Sequence, residues 1–288
     1  MKKIRRRKYR QPGRSRAGDL GVYIILTIFG VMFVIPLIMA VCEAFKPLDE
    51  LYKFPKTILV YNPTLNNFKD LFVIMGQSWV PFSRYIFNTV FITAVGTAGQ
   101  LLIASMGAYV LAKYDFPGGR KLFAMITTAM MFNGSVTRIP LYLIMAEFGW
   151  LDTFIAPILP ALAGPMGLFL MKQFMEGIPD SLLEAAKIDG AKEWGIFTKI
   201  VMPNVKPAWL TLIIFSVQNL WNNAQADYIY SEELKTLPYA LSQVTAGGVA
   251  RAGAGAAVGL FMMIVPIGIF IFSESNILET MASSGIKE

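Results

Sequence analysis

Apolar residues in this chain fall into long blocks rather than into the alternating or 3.6-spaced patterns of a soluble core. Five blocks carry no charge and reach the ~20 residues that a helix needs to cross hydrocarbon. They run over 20–42, 85–112, 153–171, 207–226 and 252–273. A sixth block, 122–145, is interrupted by Arg138 and Pro140, but its apolar pattern resumes at Leu141 and continues to Met145, so it is also read as a span. Backbone polar groups have no water to bond inside a bilayer, which leaves helices as the spanning structure for blocks of this length. The pattern therefore predicts an all-α membrane protein with six transmembrane helices.

Charge orients these spans. Residues 1–19 form a basic tail with nine Lys or Arg (Lys2, Lys3, Arg5, Arg6, Arg7, Lys8, Arg10, Arg14 and Arg16) and the single acid Asp19. Basic flanks stay on the cytoplasmic side. An even number of spans then puts both termini in the cytoplasm, with 18 of the 26 basic side chains inside and 8 outside. A tail abutting an apolar run is matched to anionic lipid headgroups, at ~1 kcal/mol per charge near the surface, and not to nucleic acid. The first run exceeds the ~7–15 apolar residues of a cleaved signal. Val41 precedes Cys42 where a lipoprotein box wants a small residue, so Cys42 is expected to be a buried small hydrophobe. Only 16% of residues are charged, against ~25% in soluble domains, and the net charge is +7. Histidine is absent and Cys42 is the only cysteine, which removes imidazole bases, Ser-His-Asp and Cys-His nucleophiles and most zinc sites. The charge-free blocks contain no acids, which argues against an ion-coupled carrier.

Two loops stand out. Residues 43–84, expected outside, hold Pro47, Pro55, Pro63 and Pro81 among Tyr52, Phe54, Tyr61 and Trp79. Either a surface for an external partner or an interfacial belt fits that composition. Residues 172–206, expected inside, carry five Lys and five acids. Ser181 and Glu184 have capping-box spacing, so a helix is predicted to start at Ser181. Leu182, Ala185, Ala186 and Asp189 then share a small-residue face, and Gly190 sits where a left-handed cap would end the helix. A second helical stretch runs from Lys192 through Trp194, Phe197 and Ile200 towards Pro203 and Pro207. On spacing alone the first helix is either a docking element, whose small residues allow close approach, or an ordinary interfacial helix.

Glu184-Ala185-Ala186, Asp189-Gly190 and Ile200-Val201-Met202-Pro203 together resemble the EAA loop of binding-protein-dependent ABC importer permeases. Met202 stands where that pattern has Leu, a volume-conserving change. Ala108 to Lys113 followed by Phe116-Pro117-Gly118, Asn62 to Phe68, Trp221-Asn222 and Glu279 to Lys287 are similar to the carbohydrate branch, which contains the maltose-type permeases. The resemblance covers 20–288 and implies a type I ABC importer permease (MetI-like) fold in a bacterial cell membrane. It also implies a second permease subunit, two ABC ATPase subunits, an extracellular solute-binding lipoprotein and a sugar or oligosaccharide cargo. Glu184, Ala185, Ala186, Asp189, Gly190, Ile200 and Pro203 would form the coupling element seated in an ATPase. The chain has no Gly-x-x-x-x-Gly-Lys-Ser/Thr, so it holds no cofactor for the drive and is not itself an enzyme; ATP and Mg belong to partner subunits. The same loop occurs in permeases for other solutes.

Polar side chains inside spans cost energy unless they meet partners or water. Asn88, Thr89, Gln100, Asn133, Arg138, Gln218, Asn219, Trp221, Asn222 and Asn223 are the candidates, with the fifth span the densest. Amides beside an aromatic ring suit a sugar, whose hydroxyls need donors and acceptors and whose C–H face stacks on rings. Hydrogen bonding between helices is the other use of such groups. Arg138 is read as snorkelling to the external interface.

Overall fold

The computed structural model describes residues 16–132, 134–224 and 227–284. In chain order the helices are α1 (Arg16–Phe45), α2 (Leu48–Leu51), α3 (Asn66–Gly76), α4 (Phe82–Lys113), α5 (Gly119–Ala129), α6 (Gly134–Glu147), α7 (Ile155–Leu162), α8 (Pro165–Glu176), α9 (Asp180–Ile188), α10 (Glu193–Ile196), α11 (Met202–Asn204), α12 (Lys206–Asn222), α13 (Leu237–Thr245) and α14 (Ala252–Ser284). No strand occurs among the described residues. By length and composition four segments can each cross a membrane: Gly18–Phe45, Phe82–Lys113, Ile155–Glu176 and Gly248–Glu274. A fifth is the bent pair Glu193–Asn204 and Lys206–Asn222.

The architecture centres on α4. Its buried residues recur every three or four positions, from Tyr85 through Asn88, Ile92, Gly96, Gln100 and Ala104 to Ala108. That spacing makes one stripe along the helix, rich in small and polar groups. Small residues let backbones approach in an apolar solvent, where burial itself provides no drive. Accordingly α7, α8 and α12 pack along α4. By contrast α1 is apolar on every side and touches the bundle chiefly through α14, leaving Leu20, Ile24, Phe29 and Phe33 exposed. A helix apolar all round belongs in lipid. Cys42 is only half-buried, in an apolar groove of about 520 Å³ between α1 and α14.

Two buried clusters hold the bundle. At the α9 end, Ala108, Tyr109, Met171, Met175, Ile178, Phe197 and Val201 interlock. At the far end, Leu71, Tyr85, Val217, Trp221, Leu241, Val244 and Ala257 join α3, α4, α12, α13 and α14. The 43–84 segment is folded rather than loose. Asn67 donates to the carbonyls of Ala44 (2.9 Å) and Lys46 (2.7 Å), and the Glu50 carboxylate accepts from the N–H groups of Tyr61 and Asn62. Phe54, Tyr61 and Trp79 remain strongly exposed on it.

Several segments depart from the expected boundaries: 153–171 is divided between α7 and α8, α12 ends at Asn222, and α14 runs on to Ser284. The 122–145 block is not one helix, because α5 ends at Ala129 and α6 starts at Gly134. The Thr127 and Thr128 hydroxyls bond back to carbonyls of the preceding turn. Such bonds compete with helix continuation, and Asn133-Gly134 is itself a breaker pair. Pro140 is accommodated inside α6. The segment beginning at Lys172 is likewise not loop at its start, since α8 runs on to Glu176. Lys172 is buried there, paired with Glu176 and 4.0 Å from the centroid of the Phe123 ring. An ion pair one turn apart plus a cation–π contact satisfies a charge that a hydropathy reading treats as the end of the span.

Candidate functional site

The α9 helix is built from its two ends. Pro179 is the N-cap, with the fixed φ of −61° that starts a helix, so α9 opens at Asp180 and no side-chain cap bond forms. The Ser181–Glu184 capping box is therefore absent: Ser181 lies inside the first turn, where its hydroxyl is past the cap position. Asp180 instead places a carboxylate at the helix N-terminus and Lys187 a cation in the last turn, each matching the local end of the helix dipole. The C-terminus has the expected left-handed glycine. Gly190 has φ +81°, its N–H bonds the Lys187 carbonyl (3.0 Å), and the Ala191 N–H bonds the Ala186 carbonyl (2.9 Å). Those two bonds are a Schellman cap, which only a residue tolerant of positive φ completes without strain.

Leu183 and Ala186 point into the cluster around Tyr109 and Phe197. The expected small-residue face thus divides, with Ala186 inside and Leu182, Ala185 and Asp189 outside. Glu184 and Gly190 are also exposed, and Ile188 is 86% exposed. Ile200 is partly buried against the same cluster, whereas Pro203 is exposed. Leu182, Ile188 and Trp194 are each exposed although apolar, in the segment that precedes α12. Below it the chain takes a π turn over Phe197–Val201 and then bends by 80° into α12. Val205 leaves the helical region there, and Pro207 supplies the first turn of α12 without needing a donor.

Ionic contacts tie α9 to the end of α4. Lys113 reaches the Asp180 carboxylate (2.7 Å) and the Ile178 carbonyl (2.5 Å). Glu193 accepts from Lys187 (2.8 Å), from the Tyr109 hydroxyl (3.2 Å) and from the Tyr114 hydroxyl. The Lys187 ammonium and then the Tyr114 hydroxyl hold the Glu193 carboxyl below its ordinary range. Glu193 in turn raises Lys187, and burial followed by the bond to Glu193 raises Tyr114. Sequence reasoning missed Lys113, Tyr114, Lys187 and Glu193 as a group. The bonds from the end of α4 span 65 to 84 positions, and the motif around Tyr109 and Lys113 gave no role.

The polar candidates within spans divide into two sets. Asn88 is fully buried and donates to the carbonyls of Glu233 (2.8 Å) and Lys235 (2.9 Å). Thr89 accepts from the Leu237 N–H (2.7 Å). Together they hold the segment before α13 against α4. Gln100 is buried at the α4–α8 contact beside Gly164 and Gly167. Trp221 is buried, and its indole N–H donates to the Met262 carbonyl (3.1 Å). Gln218, Asn219 and Asn222 are exposed on one face of α12 with Phe215 one turn earlier. Asn223 is exposed at the helix end. Arg138 pairs with Asp227 at 3.3 Å, and Asn133 lies outside the described residues. The structure thus gathers the α12 amides and separates them from Asn88 and Trp221.

The structure is thus a helical bundle with a glycine-capped helix outside its spans and a polar face on one of them. The chain belongs to the family of binding-protein-dependent transport system inner membrane components, which it matches over residues 14–280. It is 33% identical over 265 residues to the arabinooligosaccharides transport system permease protein of Halalkalibacterium halodurans, covering 88% of this chain and 91% of that one. It is 32% identical over 225 residues to the polygalacturonan/rhamnogalacturonan transport system permease protein of Bacillus subtilis, covering 78% and 76%. Its fold is that of a chain in a bacterial ABC transporter that imports the acidic polysaccharide alginate, with TM-score 0.73 and 23% identity over 92% of this chain and 99% of that one. Proteins of this family are transport components, and the relatives named here are permeases of saccharide transport systems.

Proposed function

We propose that this chain is a permease subunit of an ATP-driven importer that passes a sugar or oligosaccharide, delivered by an external solute-binding lipoprotein, across the bacterial cell membrane. The observation that carries the reading is α9, a helix outside the spans with a complete glycine cap and an outer side on which Leu182, Glu184, Ala185 and Ile188 are exposed. In this reading α9 is the coupling helix. Glu184, Ala185, Asp189 and Gly190 meet one of two ABC ATPase subunits, while Ala186 and Ile200 brace the helix from behind. A second permease subunit completes the pathway, to which Gln218, Asn219 and Asn222 present amides on the open face of α12. ATP and Mg act on the ATPase chains. Six crossings follow if α5 with α6, and α7 with α8, each make one broken span, and the basic tail then sets both termini in the cytoplasm.

Co-purification of the ATPase with the complex tests the reading. Glu184→Lys and Gly190→Asp are expected to abolish it. Assembled complexes of both variants, with sugar-stimulated ATP hydrolysis at the wild-type level, would refute coupling through α9. The cargo class has its own test. The cognate external receptor should bind a saccharide, as the names of the relatives suggest. An amino acid or phosphate ligand there would leave the permease role standing and overturn the sugar.

A further inference from the structure

The chain path offers three routes by which a push on α9 could enter the membrane. Upstream, α9 joins α8 through the turn at 177–179. Downstream, it reaches α12 only after a π turn and an 80° bend. The third route is not covalent. The end of α4, more than 60 residues away in sequence, holds the α9 N-terminus directly through Lys113 and reaches the α9 C-terminus through Glu193, at the start of α10.

At the α9 N-terminus, the Lys113 side chain is only 5% exposed although it carries a charge, and it holds both the Asp180 carboxylate and the Ile178 carbonyl. A buried ammonium with two such partners resists separation, because either one lost leaves the charge desolvated and under-satisfied. At the C-terminus, Glu193 bridges Lys187 of α9 to the hydroxyls of Tyr109 and Tyr114, and the Lys187 ammonium lies 5.7 Å from the Tyr114 ring centroid. Charge-assisted hydrogen bonds are roughly twice as strong as neutral ones, and two attachment points fix orientation where one leaves a pivot. The route through α12, in contrast, contains Val205, whose backbone is outside the helical region and cannot transmit bending stiffness as a continuous helix would.

We infer that the stroke of a docked ATPase enters the membrane through α4, with Lys113 and Glu193 as the positioning residues that lock α9 to that span. The inference rests on α9 being the coupling helix. The α4 helix is continuous over its 32 residues, so displacement of its α9 end is carried to its far end. There Tyr85, Asn88 and Thr89 hold the segment that leads into α13. The same rod therefore links the motor surface to the opposite mouth of the bundle.

The test uses the reconstituted complex with its partner permease and ATPase subunits, in a Cys42→Ser background with Ser83→Cys as reporter. Ser83 is exposed in the first turn of α4. The rate of labelling by a hydrophilic maleimide is read with and without ATP plus vanadate. The parent is expected to show a nucleotide-dependent change in rate. In Lys113→Met/Glu193→Gln, which removes both attachment points, that change is expected to shrink by at least about tenfold, while the ATPase still co-purifies. Lys187→Glu/Glu193→Lys, which rebuilds the bridge with exchanged charges, is expected to keep the change near the parent level. A full-sized change in Lys113→Met/Glu193→Gln overturns the inference, as does the absence of any change in the parent. A full loss in the charge exchange, with the ATPase bound, also counts against it. Failure of the coupling-helix reading is distinguishable, because Glu184→Lys would then leave ATPase co-purification intact.

Discussion

Replacing Gly190 by alanine isolates the backbone geometry of the α9 cap. A Cβ built at Gly190 meets no atom within 4 Å, so no collision contributes. The whole effect comes from φ +81°, which costs an L-residue with a side chain about 1–2 kcal/mol. The chain can relieve that strain by releasing the Gly190 and Ala191 N–H bonds, at about 0.5–1.5 kcal/mol each. Release occurs only where it costs less than the strain, so the strain sets the limit and the docked shape of α9 becomes less populated by a factor of roughly 5 to 30, since 1.4 kcal/mol is tenfold. The dissociation constant for the ATPase subunit, titrated against the permease pair in nanodiscs, should rise by the same factor. Gly190→Asn should fall between wild type and alanine, because asparagine tolerates the left-handed region. Gly190→Asp shares that tolerance but should bind more weakly than Gly190→Asn, because it adds a negative charge beside Asp189 at the negative end of the helix dipole. Equal affinity for wild type and alanine, or an aspartate that binds as well as asparagine, would refute the argument that this cap presents the docking surface.

Three further outcomes are expected. Asp152, at φ +57°, accepts from the Ser231 hydroxyl and from the N–H groups of Tyr230 and Ser231, which together hold its carboxyl below the ordinary range despite the opposing effect of burial. A lowered carboxylate stabilises the fold above its ordinary pKa, about 4, and that stability disappears as pH falls through the lowered value. The melting-temperature gap between wild type and Asp152→Asn should thus be positive at pH 7 and close under acid; a gap independent of pH would contradict it. Gly253→Ala would bring a Cβ to 2.2 Å from the Asn67 amide oxygen, and Asn67 is held by two carbonyls, so thermal stability should drop by about 1–3 kcal/mol. In an Asn67→Ala background the same change should cost much less, and full additivity would rule out the clash. Trp221→Phe should lower stability by about 1–3 kcal/mol through the orphaned Met262 carbonyl, whereas Gln218→Ala with Asn219→Ala should change uptake and leave the melting temperature unmoved; the reverse pattern would exchange the two roles.

Hydropathy made α1, α4, α12 and α14 legible because long apolar blocks leave little choice of structure in lipid. It failed where a local group supplied what the pattern lacked. Lys172 reads as the end of a span, yet its pairing with Glu176 and the Phe123 ring lets α8 continue past it. Arg138 and Pro140 drew attention as the interruption of the third block, while the helix ends at Ala129, just after threonine hydroxyls that bond back to the preceding turn. At α9 the glycine cap was readable, because a left-handed position has a residue signature. The N-cap was not, because proline φ and an aspartate tethered to Lys113 replaced the expected hydroxyl.

The division of the small-residue face on α9 follows from the same physics. Sequence spacing puts Ala185 and Ala186 on neighbouring positions, but only tertiary packing decides which of the two turns inward. Leu183 and Ala186 do, against Tyr109 and Phe197, so Leu182 and Ile188 are left outside. A helix this short gains little from its own hydrogen bonds and persists in water mainly through such packing. In the proposed coupling role the inward pair would make α9 rigid enough to be pushed, and the outward pair would give a partner apolar surface to cover. With Lys113 and Glu193 removed, the inward pair alone would keep α9 folded while leaving its angle to α4 unfixed. Loss of transmission with retained docking is therefore the signature that separates the ionic locks from the apolar core.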